Sequence, residues 1–278
     1  MKKIFFPLLF VSFLYLNSSA QQIKIPAPSP PQTVKQDFGL SSIELSYSRP
    51  GVKSRKIFGD LVPYGKVWRT GANQATTLTF GDSVIIGGAA IAPGKYGLLT
   101  IPGPDEWTII ISRQLDVTNP SAYKADQDVV RVKARTQAFP YPIETFTILF
   151  SNITAVSCDL AIIWDKTLVA LPIKTNVDSR IMAQINDAML KDSFPYFTAA
   201  SYYLDNKKDP YKALEWFNKA AEQNPKAYYI FYQKARCLAK LGRNKEAIAT
   251  AQQSMQLAKE ARNEDYVVLN EKLIALLK

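Results

Sequence analysis

Histidine is absent from all 278 residues. That excludes Ser-His and Cys-His nucleophile pairs, His-ligated zinc and copper, and any imidazole acid or base. Cysteine is nearly absent, with only Cys158 and Cys237. Two thiols are too few for a thiolate zinc site and cannot be the framework of a fold this large. A lone cysteine on an apolar strand or helix is ordinarily a buried hydrophobe, which is the expectation for both. Long apolar runs are missing beyond the N-terminus, so no later stretch reaches the about 20 residues a membrane helix needs. Carboxylate-pair catalysis, lysine chemistry, calcium held by oxygens, or no catalysis remain. Asp126 and Asp128 lack the acidic spacing and the glycine of a calcium loop. Neither a metal nor a cofactor is expected.

The chain opens with Lys2 and Lys3, an apolar run from Ile4 to Leu16, and small residues at Ser18 and Ala20. This order predicts a secretory signal peptide over residues 1–20, too short to anchor as a span. The expected location is therefore periplasmic or secreted. The formal charge is +10, or +8 without Lys2 and Lys3. Export turns the partner expectation away from nucleic acid and toward acidic glycans, lipid head groups or an anionic membrane face.

Residues 21–32 hold prolines at 26, 28, 30 and 31 and read as an extended, solvated leader. From 33 to 174 the pattern is antiparallel β. Ile43, Leu45 and Tyr47 alternate with polar residues, as do Thr76, Leu78 and Phe80. Trp107, Ile109 and Ile111 share a face; so do Phe146, Ile148 and Phe150, and Leu160, Ile162 and Trp164. Asp165-Lys166 reads as a turn into Thr167–Ile173, and Pro120 to Asp128 as a short helix. Strands this short and numerous predict a β-sandwich or barrel-like domain.

Residues 178–278 change period. A shift of 34 superposes Phe197 on Phe231, Ser201 on Ala235, Leu204 on Leu238, Ala213 on Ala247 and Ala220 on Ser254. This is the tetratricopeptide spacing, and "PYKALEWFNKAAEQNP" (210–225) resembles the second helix and closing proline of such a repeat. In the second copy Ala251 replaces the large aromatic. With flanking helices near 179–192 and 264–277, about three helical hairpins are expected. They would either dock the β-domain or receive a protein partner on a concave face.

The densest charge lies between Arg49 and Arg69, where Arg49, Lys53, Arg55, Lys56, Lys66 and Arg69 face one acid, Asp60. Prolines and glycines break this segment into surface turns, where binding groups commonly sit. Guanidinium forks suit carboxylate, phosphate or sulfate, and Tyr64 or Trp68 could stack on a ring. The candidate ligand residues are Arg49, Lys53, Arg55, Tyr64, Lys66, Trp68, Arg69 and Asn73. The opposing reading makes Trp68 a plug for the domain's end and Gly71 and Asn73 mere turn formers. If the binding reading holds, replacing Trp68 and Arg69 by alanine leaves folding intact and abolishes retention on acidic glycans or lipids.

The run "SRPGVKSRKIFG…LVPYGKVWRTGAN…TTLTF", followed by "APGKYGLLTIPG…EWTIII", resembles the exported bacterial family catalogued as domain of unknown function 2911. The resemblance covers about residues 34–173. It implies an extracytoplasmic β-rich domain, typically Gram-negative and often followed by helical repeats, with no established activity. Ser54 stands where the family usually has Gly, and Gln74 where Glu is common. Two other readings remain open at this stage: a carboxylate-dependent hydrolase of periplasmic polymers, and a purely structural envelope component.

Overall fold

The structure is a computed structural model that describes residues 25–191 and 193–278. The expected signal peptide lies outside the described residues, as do the first four residues of the leader. The chain divides into two compact units that meet in sequence at Asn176 and Val177.

The first unit is one antiparallel sheet. Its strands are β1 (Pro31–Phe38), β2 (Ser41–Ser48), β3 (Thr76–Phe80), β4 (Val84–Ile86), β5 (Ala89–Ile91), β6 (Gly94–Ile101), β7 (Glu106–Ser112), β8 (Asp128–Ser151) and β9 (Ser157–Lys174). The ladder order is β1-β2-β3-β6-β7-β8-β9-β4-β5, and it does not close into a barrel. Alternation decides which face is buried. Leu45 pairs with Leu78 across β2 and β3, and Leu98 with Ile111 across β6 and β7. These side chains share one core with Ile148, Leu160, Ile162 and Leu171. Burying each such aliphatic side chain is worth about 1.5–3 kcal/mol, so this single cluster dominates the unit's stability.

Two departures from the sequence expectation shape the unit. The register between β8 and β9 slips between Ala138 and Ile143, across Pro140 and Pro142. Proline has no N–H to give a ladder, so the long strand bends there. The turn expected at Asp165-Lys166 is not formed. β9 runs through it, with Asp165 at φ 49° opposite Ile143, because the buried pattern of Val169, Leu171 and Ile173 continues in the same sheet.

Beyond the bend, β8 is joined to the chain after β2 although the two strands are not ladder neighbours. Tyr47 Oη receives the Ile148 N–H at 3.0 Å, and Arg49 donates from Nε to the Phe146 carbonyl at 3.1 Å and from Nη2 to Thr147 Oγ1 at 2.8 Å. Val52 N donates to the Glu144 carbonyl at 2.8 Å and Phe146 N to that of Pro50 at 2.9 Å. This seam fixes the start of the basic segment. The leader is tied down as well, since β1 begins at Pro31 and the Pro30 carbonyl accepts the Arg49 N–H at 3.0 Å. Between β7 and β8 the expected short helix is instead two 3-10 turns, Pro120–Ala122 and Ala125–Gln127.

The second unit holds α1 (Asp178–Met189), α2 (Tyr196–Asp205), α3 (Pro210–Gln223), α4 (Tyr228–Lys240), α5 (Asn244–Glu260) and α6 (Glu264–Leu277). α2–α3 and α4–α5 are the two repeats, preceded by α1 and followed by α6. Pro210 opens α3 behind Asp209, whose carboxylate accepts the Tyr211 and Lys212 N–H groups. The 34-residue pairs mark packing positions: Leu204 and Leu238, Ala213 and Ala247, and Ala220 and Ser254 are all buried. Ser254 Oγ donates to the Tyr228 carbonyl at 2.8 Å and accepts from Asn270 Nδ2 at 2.9 Å, a buried polar link through α4, α5 and α6. The tyrosines of α4 pack first on other rings, as Tyr229 on Phe197 at 5.2 Å and Tyr228 on Tyr266 at 4.8 Å.

Both cysteines are free and buried, and burial pushes each thiol up to about 11. Less than about 1% is then thiolate at pH 7, and the thiolate is the nucleophile. The native protein is expected to resist iodoacetamide at both positions, and to take up two equivalents in denaturant. Rapid labelling of the native chain would contradict that burial.

Candidate ligand-binding cleft

The segment from Gly65 to Trp68 runs along the end of β6. Gly65 N donates to the Pro102 carbonyl at 2.9 Å, and Trp68 exchanges both backbone bonds with Thr100 at 2.7 and 2.9 Å. The period-2 rule then sends Trp68 to one side and its neighbours to the other. The indole enters the core. It stacks on Trp164 at 5.9 Å and 13°, and meets Phe58, Trp107 and Phe146 edge-on at 6.1, 6.2 and 5.2 Å.

The turn after it is equally constrained. Trp68 Nε1 donates to the Gly71 carbonyl at 3.0 Å, and the buried Thr70 donates to Thr100 Oγ1 at 3.1 Å. Gly71 has φ +153°, and a Cβ there would lie 3.1 Å from the Ser48 carbonyl oxygen and 3.2 Å from Thr76 Oγ1. Any side chain there would be strained, which glycine avoids. The ring is therefore chiefly an architectural plug, with one part left at the surface.

Arg69 points elsewhere. Its Nη1 donates to the Thr118 carbonyl, while its Nε is buried with no hydrogen-bond partner. Between these elements lies a cleft of about 500 Å³. Lys53, Arg55, Lys66 and Arg69 line it, together with Trp68 and Trp164. Its walls are apolar, among them Pro50, Leu61, Val62, Pro63, Val67 and Pro120. Among the described residues no aspartate or glutamate lines it, although Glu144 Oε1 accepts the Lys53 backbone N–H at 2.9 Å. Among the described residues none of the four cations forms an ion pair.

The eight candidate residues divide. Lys53, Arg55, Lys66, Trp68 and Arg69 converge on the cleft; Arg49, Tyr64 and Asn73 do not. Arg49 is spent on the β8 seam, where carbonyl and hydroxyl oxygens hold its guanidinium. Tyr64 lies over Gly59, where φ is +84° and a Cβ would come within 2.7 Å of the ring. Asn73 donates to the Ser29 carbonyl at 3.2 Å, fastening the leader to the turn. Arg55 lines the cleft with part of its fork already committed, to the Gly51 and Val52 carbonyls at 2.7 and 3.0 Å.

Residues that sequence reasoning missed come from far along the chain. Pro28 and Ser29 contribute from the leader, and Thr118, Asn119 and Pro120 from the β7–β8 connection. Nothing local distinguishes them, because only the fold brings them to the basic turn. The two residues that the sequence reading set apart, Ser54 and Gln74, lie in different settings. Ser54 has φ 58°, a left-handed conformation in which glycine is unstrained. Gln74 is exposed and lies outside the cleft, in a shallow depression with Thr33, Ser46 and Lys95.

Residues 29–173 match the family model described as a protein of unknown function, DUF2911. The chain belongs to this family. The match takes in every cleft-lining residue except Pro28, so the DUF2911 domain is the scaffold of the site. Residues 183–254 match the model for subunit 3 of the anaphase-promoting complex, or cyclosome, a tetratricopeptide-like similarity from α1 into α5. No curated protein and no solved structure matches the chain.

Proposed function

We propose that this is an exported, two-domain binding protein of the cell envelope. Its DUF2911 domain holds an anionic ligand in the cleft, and its helical repeats engage a protein partner. One observation carries the ligand reading: four cations line an apolar-walled cleft and none of them forms an ion pair among the described residues, the nearby Glu144 carboxylate being engaged by the Lys53 backbone N–H at 2.9 Å. Like charges gathered in this way repel, and an anion entering the cleft relieves the repulsion. An acidic glycan and a lipid head group are the two ligand sources the sequence suggested. The partner reading rests on the tetratricopeptide-like repeats. The carboxylate-dependent hydrolase finds no support here, because its two acids would have to converge beside Trp68.

The clean probe is Lys53→Ala with Lys66→Ala, since both side chains are exposed and neither holds the fold. A thermal-melt screen of the intact protein against acidic oligosaccharides, phospholipid head groups and organic acids reads binding as added stability. That gain is about 2.7 kcal/mol at a hundred times Kd. The expected result is stabilisation by at least one class at low salt, lost in the double variant whose ligand-free melt is unchanged. Equal stabilisation of variant and native protein would refute the site.

A further inference from the structure

Within the reading that the cleft binds an anion, the balance of donors and acceptors points to a narrower class. We infer that the ligand is an amphiphilic anion, an apolar aryl or acyl body bearing a carboxylate, sulfate or phosphate, and not an oligosaccharide. Each sugar hydroxyl is both donor and acceptor, so a site that encloses a sugar must offer acceptors. In this cleft many acceptors are already engaged, the Ser29 and Thr118 hydroxyls being the exceptions among the lining side chains. The Gly51 carbonyl accepts from Arg55, that of Gly71 from Trp68 and that of Thr118 from Arg69. The Pro50, Val62 and Arg69 carbonyls accept backbone N–H groups of Phe146, Gly59 and Thr76. The Ser29 carbonyl accepts from Asn73. Asn119 Oδ1, the one side-chain amide oxygen in the lining, takes bonds from Ser121 N, Ser121 Oγ and Ala122 N.

Donors, by contrast, are in surplus. The Lys53 and Lys66 ammonium groups make no hydrogen bond among the described residues, and Arg69 Nε is buried without a partner at the cleft wall. A group that only accepts satisfies such a site, and carboxylate, sulfate and phosphate do so with charge-assisted bonds. Prolines 28, 50, 63 and 120, with Leu61 and Val67, supply rigid hydrocarbon walls for the rest of the molecule. The volume of about 500 Å³ falls in the range that encloses one small ligand.

The test titrates the intact protein, by tryptophan fluorescence and calorimetry, with 2-naphthoate and decyl phosphate. Neutral 2-naphthamide, a hexauronate oligosaccharide and phosphatidylglycerol vesicles are the comparison ligands. Saturable one-to-one binding of naphthoate or decyl phosphate is expected, at least tenfold weaker for the amide. Arg69→Gln and, separately, Lys53→Ala with Lys66→Ala should each weaken it at least tenfold, the latter with an unchanged melt. Vesicle binding that competes with decyl phosphate would assign the anion to a lipid head group; free-acid binding without it assigns a soluble amphiphile. Hexauronate saturating the site and losing affinity in these variants, with the apolar acids inert, would overturn the amphiphile inference and leave the anion site standing. If no anion binds, or if binding ignores both variants, both readings fall.

Discussion

Trp68→Ala is expected to cost the DUF2911 domain about 3–5 kcal/mol, the usual range for deleting a large aromatic from a core. In a domain of this size that lowers the melting temperature by about 6–20 °C. The indole touches Phe58, Trp107, Phe146 and Trp164, and its N–H closes the turn onto Gly71. Removal leaves a cavity among rings that are themselves held in place, and frees a carbonyl. Trp68→Phe keeps most of the packing and should lose clearly less. Arg69→Gln should lose less than Trp68→Ala, since it gives up one guanidinium hydrogen bond to Thr118 but also removes a buried Nε that has no partner. The neighbours thus separate: the ring belongs to stability and the guanidinium to the cleft. A combined alanine replacement is therefore expected to lower the melting temperature, where the sequence reading expected folding to stay intact. Thermal melts of the three single variants check this. A Trp68→Ala melt within about 2 °C of the native value would show that the ring is dispensable to the core.

What could be read in advance follows from which interactions are local. Alternation at Ile43, Leu45 and Tyr47, and at Trp107, Ile109 and Ile111, is a property of neighbouring residues, and all six are buried. The 34-residue period marked the helix-packing positions for the same reason. Continuity through Asp165 was hidden because its left-handed conformation is what a turn would use, while the cue against a turn lies in the burial of residues up to Ile173. The seam from Tyr47 to Ile148 joins residues 101 apart in sequence and leaves no local trace. At the cleft, composition disclosed the cations but not their aim. Arg49 and Lys53 look alike in the sequence, yet one is consumed by carbonyl and hydroxyl oxygens and the other is open to solvent. The acceptor deficit was beyond reach, because it depends on which backbone carbonyls the tertiary structure had already engaged.

Phe217→Ala is expected to cost the helical unit about 3–5 kcal/mol, whereas Ala251→Phe, the equivalent position one repeat later, should cost about 1–3 kcal/mol. The two positions are 34 residues apart, and both side chains are fully buried. Phe217 fills the space among α2, α3 and α4 with Ala200, Leu214 and Leu238, its ring 6.3 Å from that of Phe197. Ala251 packs instead against Ala235, Ile274 and Leu273. Side chains of α6 thus occupy the volume that a second phenylalanine would have taken. The missing aromatic is therefore compensation, not decay: the last helix approaches closely because Ala251 is small. Restoring the repeat pattern should destabilise the stack, as the Ser254–Asn270 bond at 2.9 Å leaves α6 little room to withdraw. Native-state amide exchange on peptides from α2 to α5 separates the cases. Phe217→Ala should lower protection by about two to four powers of ten and Ala251→Phe by about one to two. A gain of protection in Ala251→Phe would mean that the two repeats are interchangeable and that α6 is not the filler.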